Sequence, residues 1–415
     1  MPRKGWVIFI ALMLIPAGLG VAVYVKLREI AVEMEADVRA LAATRVERPA
    51  LEPVSPGGFE ARVKPLLLRA ARRGPAPWNE PWLQGKDGEI WADVRNEDRP
   101  LWALPVEAKA QLEELRDWYL EVLSATHSEL PAQPVERLAA ALDDNRGIAL
   151  QHAAKLAAID QLLLIEAKRP GEALRLCIDS LALARDAAKG GTLLDSMIGA
   201  AIVGIVRHPC ARSIDNASAE EQRAALADLR LVRSGCASNA EWMRNERVVQ
   251  EMLLCTFVSD DELDQLPAGS GAWAKFSSHS GNSGLAGWAL ALRAWPALKR
   301  RDDGLLAAMA LPAAERAKAV ERVQRDTEGP LKDISTDFER FALRIDRRDL
   351  MLDQLQCLLE LAVDRAETGG WHPPGHCAPM TYLEPMVAVV TLNDPMPLAG
   401  KTPMLQEYVV APELK

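Results

Sequence analysis

The sequence predicts an all-α fold: an irregular helical hairpin array, α-solenoid or bundle-like, behind one N-terminal transmembrane helix, with a small β-hairpin-like C-terminal tail. Three observations predict it. Trp6–Val25 (WVIFIALMLIPAGLGVAVYV) runs about twenty residues without a charge, and at about 1.5 Å rise per residue such a helix spans the roughly 30 Å hydrocarbon core of a bilayer. Apolar residues make up 49% of the chain and aromatics only 5%; Ala and Leu dominate and β-branched runs are scarce, a balance that favours helices around a buried core. From Val106 onward, helix-period stretches of about fifteen to twenty residues alternate with short Gly/Pro breaks.

Residues 1–5 form the flank before the anchor at 6–25. Arg3 and Lys4 precede the apolar run and Lys26 and Arg28 follow it, so charge alone gives only a slight bias toward a cytoplasmic N-terminus. Topology favours that side too, which places the anchor in a bacterial inner membrane with the C-terminal domain in the periplasm. Two other orientations stay open. Gly20-Val21-Ala22 has the small-x-small form of a signal-peptide cleavage site, although the apolar run exceeds the usual h-region of about 7–15 residues; a cytoplasm-facing domain is the other. Pro16 sits within the run, where membrane helices tolerate a kink.

Residues 26–58 read as a stalk helix followed by a linker. Leu27, Ala31, Met34, Val38 and Leu41 share one helical face over two heptads, too few for a coiled coil and enough for a stalk that packs on its own domain. Pro49–Gly58 (PALEPVSPGG) is the linker. Residues 59–105 start with a short basic amphipathic helix, Phe59–Arg73, and continue as a strap in which Trp78, Trp82, Trp91 and Trp102 alternate with prolines.

The helical domain at 106–266 begins with Val106–His127 and Val135–Lys168, the latter with a break expected near Asn145-Arg146-Gly147. Arg169-Pro170-Gly171 stops it, and Glu172–Lys189 starts anew with Pro170 just outside its N-terminus. Gly190-Gly191 ends that helix. Leu193–Val206 follows, nearly uncharged and so the most buried, and closes at His208-Pro209. Ser218 is a natural N-cap for Ser218–Arg233, and Ser238-Asn239 cap Ala237–Val258. Residues 267–287 are a Gly/Ser-rich loop, and 288–367 a second helical part with Trp288–Leu298, Ala313–Thr327 and Asp337–Ala366. In the tail at 368–415, Met386–Leu392 and the run near Tyr408-Val409-Val410 read as strands.

Three resemblances attach to these residues. Lys4-Gly5-Trp6 before an apolar run resembles a prepilin leader, with Ile10 where most pilins carry Glu. Ala154–Ile205, a helix, an RPGEA turn and a second helix, loosely resembles tetratricopeptide-type repeats. The tail, with GGWHP, Asn393-Asp394-Pro395, Gly400-Lys401-Thr402-Pro403 and Tyr408, resembles the C-terminal end of pseudopilins, and more closely the tails of membrane-anchored helical proteins of large-genome bacteria that carry no assigned activity. That likeness covers about fifty residues and rests on turn-formers, so it implies a fold detail and ancestry.

The net charge is −9 although residues 1–28 carry only positive side chains; the acidic remainder repels nucleic acid, which is excluded as a partner. Six cysteines fall at 177, 210, 236, 255, 357 and 377. Buried free thiols are the favoured reading; Cys177–Cys210 and Cys357–Cys377 are open as disulfides, whereas Cys236 and Cys255 at opposite ends of one helix are not. His372, His376 and Cys377 form H-x3-H-C but lack a fourth metal ligand, so no metal is assigned. Glu241, Arg244, Glu246, Arg247 and Glu251 crowd one helix start with ion-pair spacing, read as a salt-bridge face rather than paired acid–base carboxylates. Nucleophile-elbow, P-loop, zincin and Rossmann motifs are missing, so no catalytic residue or cofactor is assigned. The expectation is a non-catalytic scaffold or protein-interaction protein, with the membrane and other envelope proteins as partners. A minor pseudopilin-like component of a type II secretion or pilus-like system is the first alternative, a hydrolase with an unrecognised site the second.

Overall fold

A computed structural model of the chain describes residues 3–72, 106–134, 144–255, 285–327, 338–369, 377, 381–384, 387–392 and 406–410. The Trp/Pro strap and most of the Gly/Ser-rich loop lie outside these residues. The fold is all-α, with little strand. Helix α1 runs unbroken over Arg3–Ala43. Strand β1 (Ser55–Gly58) and helix α2 (Phe59–Arg72) follow, then α3 (Val106–Ser124), a 3-10 turn (Ala125–His127) and β2 (Ser128–Leu130). Next come α4 (Asp144–Glu166), α5 (Pro170–Ala188), α6 (Leu193–Asn216), α7 (Ala219–Ser234) and α8 (Asn239–Cys255). Helices α9 (Leu285–Met309), α10 (Ala313–Asp326) and α11 (Phe338–Thr368) complete the helical set.

The stalk half of α1 turns one face inward. Leu27, Ile30, Met34, Val38 and Leu41 are buried, and the last four pack with Val248 of α8 and Trp295 of α9. Each such side chain contributes about 1.5–3 kcal/mol when buried. The Trp295 indole also donates to Glu33 at 3.1 Å. The stalk is therefore part of its own domain. Ile30, which the heptad reading left out, is buried beside them; the Ala31 side chain lies outside the described residues.

Helices α4, α5 and α6 each pack on the other two, and α11 lies across α6 and α7. A solenoid would leave α11 against its sequence neighbours; its place on the central helix makes the array a closed bundle. Two helical stretches, Arg146–Glu166 and Leu193–Ile214, are long and apolar enough to cross a membrane, and other helices bury most of both. Cys177 of α5 and Cys210 of α6 are joined in a disulfide, Cα atoms 5.2 Å apart. A second disulfide links Cys357 of α11 to Cys377, 5.8 Å apart. The free-thiol reading fails for these four residues; Cys236 is a free thiol.

Several predicted breaks are not breaks. Helix α4 passes through Asn145-Arg146-Gly147, because Arg146 is buried between Glu60 at 2.6 Å and Asp195 at 3.1 Å. Gly147 permits the contact: a Cβ there would lie 2.3 Å from Ile198 Cδ1 of α6. Helix α6 runs on through Pro209 to Asn216, since Val206, Cys210 and Ile214 are all buried and their packing outweighs the proline cost of about 3 kcal/mol. Helix α9 contains Pro296 and runs on past the expected end at Leu298, with Trp295, Leu298 and Leu305 buried. Helix α5 begins at Pro170 itself, the first-turn position proline favours. Ser218 caps α7 in a capping box with Glu221.

A second apolar group holds α8, α9, α10 and the start of α11. Trp242 and Phe338 stack with ring centroids 6.5 Å apart among Met243, Leu305, Val320 and Ile345. β1 and β2 pair in parallel. At the C-terminus β3 (Thr381–Glu384), β4 (Val387–Leu392) and β5 (Gln406–Val410) form an antiparallel sheet in that order, with Val390 opposite Tyr408.

One charged knot ties the segment after α1 to the bundle. Arg48 Nε and Nη2 donate to the two Asp186 carboxylate oxygens at 2.6 and 2.8 Å. Arg185 donates to the same oxygens at 2.8 and 3.1 Å. All three side chains are fully buried. The surplus positive charge is met by backbone carbonyls, Pro49 O accepting from Arg185 and Thr126 O from both arginines. Gly235, where α7 ends, leaves room: a Cβ would stand 2.8 Å from Arg185 Cδ and 3.1 Å from Arg48 Cβ.

Removing the anion strands two buried guanidinium groups, so Asp186→Asn is expected to cost about 3–5 kcal/mol. Arg48→Met leaves the Arg185–Asp186 pair intact and is expected to cost about half of that. Denaturant unfolding of the two variants in micelles checks this, and equal losses would refute the hierarchy.

Candidate functional site

A cleft of about 720 Å³ opens where four elements meet. One wall is the loop from Leu51 to Ser55. The end of α3 supplies Leu120, Leu123 and Ser124, and the 3-10 turn supplies His127. Helix α5 presents Leu174, Arg175, Ile178 and Asp179, and α7 presents Glu220, Glu221, Ala224 and Asp228. On α5, Leu174 and Ile178, like Arg175 and Asp179, are four residues apart, so one helical face carries both an apolar and a charged row. The floor is apolar and the rim acidic: five carboxyl side chains stand against Arg175 and His127.

His127 Nε2 lies 2.9 Å from Asp179 Oδ1. That hydrogen bond holds the imidazole above its ordinary pKa; burial opposes it, and the charge of Asp179, the Leu51 backbone and the charge of Asp228 reinforce it. The other nitrogen, Nδ1, is sealed from solvent beside the Leu51 backbone. A relay of the Ser–His–Asp kind needs one nitrogen on the carboxylate and the other on a nucleophile. Here Nε2 is committed to Asp179 and Nδ1 is buried with no hydrogen-bond partner among the described residues, so no relay to a nucleophile is in place. Asp228 is half-buried and makes no hydrogen bond or ion pair among the described residues. Burial raises its pKa, Asp179 and Glu52 add to this, and His127 and Arg175 pull it back. In chemical terms the cleft offers negative charge over an apolar floor.

None of these residues was singled out from sequence. Asp179 lies inside an otherwise apolar helical run (LCIDSLALA), where a poor helix former facing a core is the one available signal. His127, Glu52 and Asp228 carry no local signal.

The residues that were singled out go elsewhere. His372 and His376 lie outside the described residues, and Cys377 is spent in its disulfide. Glu360 is close to those two sulfurs, but no thiolate remains there to bind a metal. Glu241 accepts from Lys189 Nζ at 2.9 Å and from the Gly190 amide at 3.0 Å instead of pairing with Arg244, which is exposed. Glu246 accepts from the Leu193 amide at 3.2 Å, and burial raises its pKa. Arg247 and Glu251 form the expected pair at 2.9 Å. The face is thus an inter-helix one, capping the α5–α6 turn and meeting the stalk.

At that meeting Glu251 is fully buried near Asp37 of α1. Arg247 reaches Asp303 at 2.7 Å and Asp37 at 3.5 Å, and Lys299 reaches Glu33 and Asp37 at 3.3 and 3.6 Å. Burial, with the nearby Asp37 carboxylate, pushes Glu251 up to about 7; the hydrogen bond from Arg247 opposes it. Asp302, also buried, is raised to about 6 by desolvation against the pull of Arg301. No protein-family model matches this sequence, and no curated protein or solved structure matches it either.

Between about pH 4.5 and 7 the native chain holds a proton on Glu251 that the unfolded chain releases, so this group's contribution to stability falls as pH rises through that window. Glu251→Gln removes the fall. The variant is expected to exceed the parent by about 1–3 kcal/mol at pH 8 and to lose that advantage near pH 4. Thermal melts at several pH values check this, and a gain independent of pH would contradict it.

Proposed function

We propose that this chain is a membrane-anchored, non-catalytic scaffold of the bacterial envelope that holds a protein partner in the acidic cleft. The observation that carries the reading is the cleft itself: ligand-sized, apolar-floored and charged, with its one imidazole closed to proton transfer on both nitrogens. A cleft with converging carboxylates is also what a hydrolase needs. Asp179 is committed to His127, however, and no described nucleophile meets a free base, which argues against that alternative.

The anchor reading rests on the uncharged Trp6–Val25 run, which lies within one continuous helix with the stalk. Val21, Tyr24 and Val25, at the end of the run, are exposed, as side chains facing lipid are. Two disulfides suit an oxidising compartment and so a periplasm-facing domain. One observation favours a second reading, a minor pseudopilin-like subunit: the leader-like start and the stalk belong to a single helix, and the tail strands are paired.

Mass spectrometry of membrane and soluble fractions from the native host, run without reductant, tests these readings together. A membrane-bound chain starting at Met1 or Pro2, with Cys177 and Cys210 peptides linked, is the expected result. A start at Trp6 would transfer the chain to the pseudopilin-like reading. A soluble form starting at Val23 would remove the anchor, and reduced cysteines would remove the periplasm.

A further inference from the structure

We propose that the cleft seats a basic, amphipathic segment of a partner polypeptide, its Lys or Arg side chain over Asp228 and Glu52 and its apolar neighbour on Leu120, Leu174 and Ile178. The inference deepens the scaffold reading and rests on it. Charge complementarity selects the occupant. Of the five acidic side chains at the cleft, Asp179 is hydrogen-bonded to His127 and Glu221 is engaged in the Ser218 cap. Glu52, Glu220 and Asp228 form no ion pair among the described residues, and Arg175 is the one further cation at the rim. A half-buried carboxylate kept beside Asp179 and Glu52, with His127 and Arg175 offsetting them only in part, lowers stability. A bound cation would relieve that cost, whereas an anionic or purely apolar ligand would add to it.

The floor selects the carrier of that cation. Leu174 and Ile178 are buried wall residues and Leu120 is partly exposed at the rim. The apolar stem of Lys or Arg lies along such a surface while its head stays with the carboxylates. Ser55 also lines the cleft, and it opens β1, which pairs only with β2 among the described residues. A strand with an open edge offers main-chain hydrogen bonds to an extended peptide, and a small polyamine makes no use of them.

The test uses the full chain in zwitterionic nanodiscs and a fluorescein-labelled hexapeptide, KLKLKL, read by anisotropy against empty nanodiscs. ELELEL and SLSLSL are the charge controls, and spermidine is the competing small cation. KLKLKL is expected to bind, to weaken with added salt, and to lose about tenfold in affinity in the Asp228→Asn/Glu52→Gln variant. That variant is expected to melt no lower than the parent, because it removes a desolvated like charge; if it fails to fold, Glu220→Gln alone is expected to weaken binding in the same direction. Equal affinity of parent and folded variant would overturn the assignment to the cleft. SLSLSL or ELELEL binding as tightly as KLKLKL, and weakened by Leu120→Ser, would overturn the cationic occupant and leave the scaffold reading standing. Displacement by spermidine at lower concentration than unlabelled KLKLKL would assign the cleft to a small cation and overturn the peptide. Binding of none of the four probes would overturn this inference and the cleft-binding form of the scaffold reading together.

Discussion

The Arg48–Asp186–Arg185 knot is the constraint on which the functional end of the molecule depends. Arg48 lies three residues before Leu51, where the cleft loop begins, and Thr126, whose carbonyl accepts from both arginines, immediately precedes His127. Two walls of the cleft are therefore pinned to helix α5 through a single buried carboxylate, and α5 supplies a third. The fourth wall, α7, ends at Gly235, which has no side chain because Arg185 and Arg48 occupy the space. Beyond the knot, the extended segment after α1 is held by the paired hydrogen bonds of the Val46 backbone with Gln133, by Leu51 and by the β1–β2 pairing.

The N-terminal helix and the cleft are linked by the same logic from the other side. The stalk half of α1 is cemented to α8 and α9 by Met34, Val38 and Trp295, and around that apolar seam Asp37, Arg247, Glu251 and Lys299 form a mixed-charge collar. The same α8 carries Glu241 and Glu246, which bind backbone amides between α5 and α6. Contacts thus run without a gap from the stalk through α8 to the turn joining the two central helices, and along α5 to the floor of the cleft.

The sequence made the parts with local causes legible. The stalk face was readable because Leu27, Met34, Val38 and Leu41 recur at helical spacing, and Ser218 because a hydroxyl before a helix with Glu three residues on has one common use. The two disulfides were among the few pairings that helix geometry allowed, yet the burial preference of cysteine pointed to free thiols. The helix end at Pro209 was misread for a physical reason: local proline cost is fixed, whereas the burial that outweighs it comes from residues distant in sequence. The knot and the cleft were invisible for the same reason. Arg185-Asp186 in a helix looks like a surface pair, and Arg48 like a linker charge, until the chain returns.

Charge satisfaction separates structure from function in this molecule. Glu251 and Asp228 are both carboxyls lifted by burial. Glu251 is sealed at the stalk interface, where Arg247 donates to one of its oxygens and Asp37 stands nearby. Asp228 faces an open cleft and shares it with other acids, and nothing among the described residues donates to it. Buried polar groups elsewhere in the bundle, such as Arg146, Tyr119 and Asn245, find partners across helices. Asp228 thus differs from Glu251 in access: it lines a cleft floored by apolar side chains, where an outside cation can reach it.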